Sequence, residues 1–257
     1  MLQLIDIDKV FNKNTINETT VFKGFNLSVD KGDFVSIVGS NGSGKTTILN
    51  LISGNIATDG GKIILNGKDI TKQKEYVRAA KIGRVFQDPA KGTANTMTIA
   101  ENLALADNKG KWYSLTRGLN NKRLAYYKEL LCQLNLGLED RLDVKVGALS
   151  GGQRQALTLL IATMTDVDLL LLDEHTAALD PHISEDIMRL TDKFIKAKKI
   201  TTLMVTHNLR YAVEYGNRII MLDKGGIVID KKDDEKANLG VKDLLKTFNE
   251  ISIECGN

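Results

Sequence analysis

Gly39-Ser40-Asn41-Gly42-Ser43-Gly44-Lys45-Thr46 is the stretch from which the fold of this chain can be read. It fits G-x-x-x-x-G-K-[ST], follows the apolar run DFVSIV and precedes a segment through Ile52 that reads as a helix. Glycines let the backbone curl until successive N–H groups point at one anion, and the helix N-terminus behind them adds partial positive charge. Lys45 contributes a full charge, Thr46 a hydroxyl suited to magnesium, and Thr47 is read with the loop as a further ligand-binding residue. A flexible glycine turn is the competing reading. Chance matches arise in roughly one chain in a hundred of this length, before the flanking strand and helix are required.

Further along, Leu169–Glu174 reads LLLLDE, a buried strand ending in two acids. Asp173 is placed to organise magnesium through its water shell, and Glu174, one residue on and directed differently, to polarise an attacking water. Paired acids at a strand end are otherwise ordinary surface residues, and it is the phosphate loop that favours the catalytic reading. The pentapeptide Leu149–Gln153, LSGGQ, precedes another helix, so that Ser150 can cap it while the amides of Gly151 and Gly152 form a second anion-binding edge. Alone, it would be only a capped helix start.

Together, GSNGSGKT, LLLLDE and LSGGQ closely resemble the nucleotide-binding subunit of ABC transporters, over nearly the whole chain. The resemblance implies an α/β fold in which a P-loop NTPase, RecA-like core carries an antiparallel β subdomain and an inserted α-helical subdomain. It implies ATP and Mg2+ as ligands and ATP hydrolysis as the reaction. Gln87 in VFQDP resembles the Q-loop glutamine, a contact to magnesium and water that also relays to the membrane subunit. His207 in MVTHN resembles the switch histidine at the γ-phosphate, and Asp180 in AALD the D-loop aspartate that communicates across a dimer. Phe11 stands where family members stack an aromatic ring on adenine, a position at which a core phenylalanine would look identical.

One departure from the family pattern is His175, where most members have proline, giving DEHTAALDP. It reads either as a new catalytic histidine or as a tolerated loop substitution; Glu174 and His207 already fill the catalytic roles, which favours the second. DEHTAALDP resembles a subgroup of bacterial uptake ATPases, some of them associated with amino-acid import.

The rest of the chain is consistent with one domain. Short alternating strands fill Leu2–Val38, and KIGRVFQ reads as a buried strand ending at Gln87. Helical spacing dominates MTIAENLALA and NNKRLAYYKELLCQLNL, so residues 88–150 are read as the inserted helical lobe. Residues 1–87 and 151–230 then form the β subdomain and core, and 231–257 a C-terminal extension; the tail from Gly226 reads as a final strand GIVID, a charged turn DKKDDEK and a helix VKDLLKTFNEI that either covers the sheet or serves docking or regulation.

Hydrophobic residues at 42% and charged residues at 26% exclude a disordered or fibrous chain. A net charge of +3 argues against nucleic acid as a partner, and Lys196, Lys198 and Lys199 read as a solvated helix face. Only Cys132 and Cys255 are present, too far apart for a metal-ligand spacing, and are expected to be reduced and passive. Neither a membrane span nor a signal peptide is apparent. The expected location is cytoplasmic, peripheral on the inner face of the cell membrane. The resemblance further implies a second ATPase subunit, integral-membrane permease subunits and a separate substrate-binding protein. The competing readings are an exporter ATPase and a soluble, non-transport ABC ATPase acting on a macromolecular assembly.

Overall fold

The computed structural model describes residues 1–109 and 119–254. Its chain order begins with strands β1 (Leu2–Phe11), β2 (Thr19–Val29) and β3 (Phe34–Gly39), helix α1 (Lys45–Ser53), strands β4 (Gly60–Leu65) and β5 (Lys68–Asp69), and the short helix α2 (Glu75–Arg78). Strand β6 (Ile82–Val85), helices α3 (Ile99–Asp107), α4 (Leu124–Cys132) and α5 (Gly151–Thr163), strand β7 (Leu169–Asp173) and helix α6 (Pro181–Lys198) follow. The order ends with β8 (Thr201–Val205), α7 (Leu209–Glu214), β9 (Arg218–Asp223), β10 (Gly226–Lys232), α8 (Asp234–Ala237) and α9 (Val241–Glu254). These elements pack into two compact units, one of Met1–Ala79 with the segment from Lys199 onward, the other of Ala80–Lys198.

In the first unit an antiparallel sheet runs in the order β2-β1-β4-β5. Alternation along β1 buries Leu2 and Leu4, then slips by one residue to bury Ile7. The slip is a bulge at Asp6, whose φ is +48° and whose N–H donates to Asn26 Oδ1 at 3.0 Å. Strand β3 lies between β8 and β9, parallel to both, and β10 returns antiparallel beside β9. Every residue of β3 and β8 is buried, as expected of parallel strands covered on both faces.

Two buried cations tie helix ends in this unit. Arg78 donates to the carbonyls of Leu51 and Ile52 at 2.7 and 2.9 Å, satisfying the last turn of α1, where Gly54 closes the helix in the left-handed region. Lys236 donates to the carbonyls of Tyr215 and Gly216 just past α7, and burial pushes its pKa down to about 8. The stretch expected as a charged turn is therefore more ordered than its composition suggests. Strand β10 runs on to Lys232, which pairs with Asp30 and Asp33, and α8 forms around the anchored Lys236. Helix α9 lays Leu244, fully buried, into a cluster with Val38, Ala212, Ile219 and Met221, with Phe248 packed at its edge.

In the second unit β6 and β7 pair in parallel, Ile82 opposite Leu169 through Val85 opposite Leu172. The sequence suggested a strand reaching Gln87, but β6 stops at Val85. Beyond it the Phe86 carbonyl turns to accept a hydrogen bond from Gln155 Nε2 at 3.3 Å, which takes it out of the ladder. Capping boxes start both α3, through Thr98 and Glu101, and α5, through Ser150 and Gln153.

The lysines at the end of α6 do not form one solvated face. Lys196 pairs with Asp192 at 2.7 Å on the surface, whereas Lys198 donates to the Thr163 carbonyl at the end of α5, and Lys199 has left the helix with φ +51°. Cys132 is a free, exposed thiol, and Cys255 lies outside the described residues.

Candidate active site

Buried strand β3 delivers the chain to the phosphate loop at Gly39, and α1 takes it away at Lys45. Two glycines there have no substitute. A Cβ on Gly39 would stand 2.2 Å from the Leu222 carbonyl oxygen. Gly44, at φ +101°, is the N-cap of α1, and its Cβ would stand 2.4 Å from the Phe22 ring. No side chain caps α1 and no acid lies in its first turn, which suits that end of the helix to an incoming anion.

Lys45 is only 5% exposed and bends back over its own loop, donating to the carbonyls of Gly39 and Ser40 at 2.9 and 2.8 Å. Ser43 Oγ is buried with no hydrogen-bond partner in the protein, and Ser40 Oγ donates to Asp223 Oδ1 at 2.9 Å. Asn41, Gly42 and Thr46 are exposed, and Thr47 is half-buried. A donor-rich loop, a folded-back ammonium and an unsatisfied hydroxyl are what a polyphosphate would engage.

Exposed His207 follows β8, between Thr206, whose N–H donates to the Ile37 carbonyl, and Asn208, which caps α7 through the N–H groups of Arg210 and Tyr211. It lines a cleft of about 270 Å3 together with Gly39, Ser40, Asn41 and Phe248, so the fold brings the histidine and the phosphate loop together. Phe11, half-buried at the end of β1, lies under the Lys9 ammonium at 5.2 Å and is not part of the core. Phosphate loop, His207 and Phe11 all belong to the first unit.

The remaining residues singled out in the sequence lie in the second unit. Asp173 ends β7 with its carboxylate 2.9 Å from Arg84 Nη2. Glu174 follows in the left-handed region at φ +48°, which turns its side chain away from the strand's alternation, and its carbonyl accepts from Ala177 N–H. Gln87 is exposed just beyond β6, and Asp180 is exposed just ahead of α6. Ser150 and Gln153 are engaged with each other in the capping box. Gly151 is exposed, and a Cβ on Gly152 would stand 2.5 Å from Ile183.

His175 is 2% exposed and burial lowers its pKa to about 4, so the ring is neutral. Thr191 donates its hydroxyl proton to the Ile187 carbonyl at 2.7 Å, which leaves His175 Nε2 as the donor in the 3.2 Å contact between them. A neutral, enclosed imidazole held by α6 is a packing element. Sequence reasoning passed over Arg84 and Gln155, whose signal was positional: one stands opposite Leu171, two residues before Asp173, and the other reaches the carbonyl before Gln87.

The family model described as ABC transporter matches residues 22–177. This chain belongs to the ABC transporter family. Its relatives include the tyrosine transport ATP-binding protein of Clostridioides difficile (strain R20291), 48% identical over 96% of this chain and 98% of that one. They also include the macrolide export ATP-binding/permease protein MacB of Aggregatibacter actinomycetemcomitans, 33% identical over 90% of this chain but 34% of its own length. Among solved structures, the dimeric, post-hydrolysis ATP-binding cassette MJ0796 bound to ADP and Pi superposes with a TM-score of 0.77 at 30% identity, over 90% of this chain and 98% of that one.

The ABC protein is thus an ATP-binding subunit of a transporter, an ATPase that couples ATP hydrolysis to transport across a membrane. Among its described residues no helix is long and apolar enough to cross a membrane. Nor, among those residues, does any group of three or more His, Cys, Asp or Glu stand ready to hold a metal. The Thr46 hydroxyl and the Asp173 carboxylate are each the kind of hard oxygen donor that magnesium takes.

Proposed function

We propose that this chain drives an importer of amino acids of the tyrosine kind, two copies acting on integral-membrane permease subunits that receive cargo from a separate substrate-binding protein. The observation that carries the reading is the 48% identity to a tyrosine transport ATP-binding protein, sustained over 96% of the chain. The likeness to an exporter is weaker, 33% identity over 34% of that longer protein. In this reading the chain works on the cytoplasmic face of the cell membrane, attached through the permease.

Each residue has a role that follows from its chemistry. The amides of Gly39–Thr46 and the Ser43 hydroxyl cradle the phosphates, and Lys45 leaves its two carbonyl acceptors for the β- and γ-phosphate oxygens. Phe11 stacks on adenine. The Thr46 hydroxyl, Gln87 and, through water, Asp173 would hold magnesium, which would neutralise charge on the phosphates. Glu174 accepts a proton from the attacking water, and His207 donates a hydrogen bond to the γ-phosphate as charge builds there. Ser150, Gly151, Gly152 and Gln153 present their amide edge to the nucleotide of the second copy, and Asp180 contacts that copy. Hydrolysis removes the phosphate that joins the two, and the pair opens.

The test is reconstitution of the chain with its co-purifying permease and binding protein in liposomes. ATP-dependent accumulation of labelled tyrosine, dependent on the binding protein, is expected. Extrusion of substrate, or recovery of the chain on a soluble assembly with no integral-membrane partner, would overturn the importer reading.

A further inference from the structure

Buried ion pairs need a reason. Desolvating both charges costs as much as their attraction returns, so such a pair is poor evidence of stabilisation, and well-packed apolar residues serve a core as well or better. Within the second unit, Arg84 and Asp173 form such a pair at 2.9 Å, with side chains only 10% and 12% exposed.

Its geometry is set by the sheet. Arg84 stands opposite Leu171 in the parallel register of β6 and β7, and Asp173 lies two residues beyond Leu171, on the same face. Phe86, two residues beyond Arg84, lies beneath the guanidinium at 4.6 Å. The cation is therefore held by an aromatic face as well as by the carboxylate, and a planar guanidinium suits that double engagement better than an ammonium does. One contact runs from Nη2 to Oδ2, and a carboxylate with about four acceptor positions can take that bond and still accept from metal-bound water.

We propose that Arg84 is the positioning residue for magnesium in this site: it holds the Asp173 carboxylate in one orientation before the metal arrives. The inference rests on the reading of Asp173 as the magnesium-organising residue. In this role Arg84 acts through the carboxylate, the usual relation of an outer partner to a metal ligand.

The experiment compares the full-length protein with Arg84→Met, Arg84→Lys and Asp173→Asn, measuring affinity for a fluorescent ATP analogue first in EDTA and then against increasing magnesium. Arg84→Met is expected to keep its EDTA affinity within about twofold while the magnesium concentration for the half-maximal response rises about tenfold, the lower end for loss of an outer-shell partner. Arg84→Lys, which retains charge without the fork, is expected to recover most of that rise. A magnesium response unchanged in Arg84→Met while Asp173→Asn loses it would overturn the role of Arg84 and leave Asp173 in place. An unchanged response in Asp173→Asn would remove the reading on which the inference stands. Equal losses of affinity with and without magnesium in Arg84→Met would reduce Arg84 to a structural role.

Discussion

His175 demonstrates how little a residue's chemistry decides before its surroundings are known. Next in sequence to Glu174, the proposed base, it is enclosed in the structure and held by Thr191 of α6. Burial lowers its pKa from 6.5 to about 4, and the consequence for stability has a definite sign. As pH falls below 6.5 the unfolded chain takes up a proton that the folded chain refuses until about pH 4, so stability is lost across that window. Urea unfolding at a series of pH values should show a loss of up to about 3 kcal/mol in the wild type that is absent from His175→Gln. Parallel pH profiles for the two proteins would refute the assignment. Lys45, by contrast, lies folded over its own loop, where G-K-T after a buried strand leaves the ammonium few places to go.

At the scale of elements, the C-terminal helix is where pattern and packing part company. The spacing of VKDLLKTFNEI predicts a helix but not what it covers; the structure lays Leu244 of α9 against Val38, the last residue before the phosphate loop, and sets Phe248 in the cleft that His207 lines. Leu244→Ala should cost about 2–5 kcal/mol in denaturant unfolding, the range for emptying a closed leucine site. A cost below about 0.5 kcal/mol, as at an exposed surface position, would show that α9 is not docked in solution. Strand ends were harder to read than helix starts. Ser150 and Gln153 announce a capping box three residues apart, whereas the end of β6 depends on Gln155 withdrawing the Phe86 carbonyl from the ladder across a distance in sequence that no local pattern records.

For the molecule as a whole, function depends on residues that no single stretch of chain contains. If Glu174 is the base and two copies share each nucleotide, Glu174→Gln should bind ATP normally, lose at least about a hundredfold in turnover, and accumulate an ATP-dependent dimer in size-exclusion chromatography. Steady-state hydrolysis at the wild-type rate would remove Glu174 from that role. The sequence by itself determined the phosphate loop, the strand bearing Asp173, the capped signature helix and the α/β alternation around them, because glycine conformations, caps and hydrophobic periodicity are local preferences expressed within a few residues. Only the tertiary structure decided that His175 is neutral packing, that Lys198 and Lys236 satisfy carbonyls at helix ends, and that Arg84 grips Asp173. Each of those outcomes depends on burial and on partners far away in the chain, and the dielectric around a charge is a property of the folded surroundings.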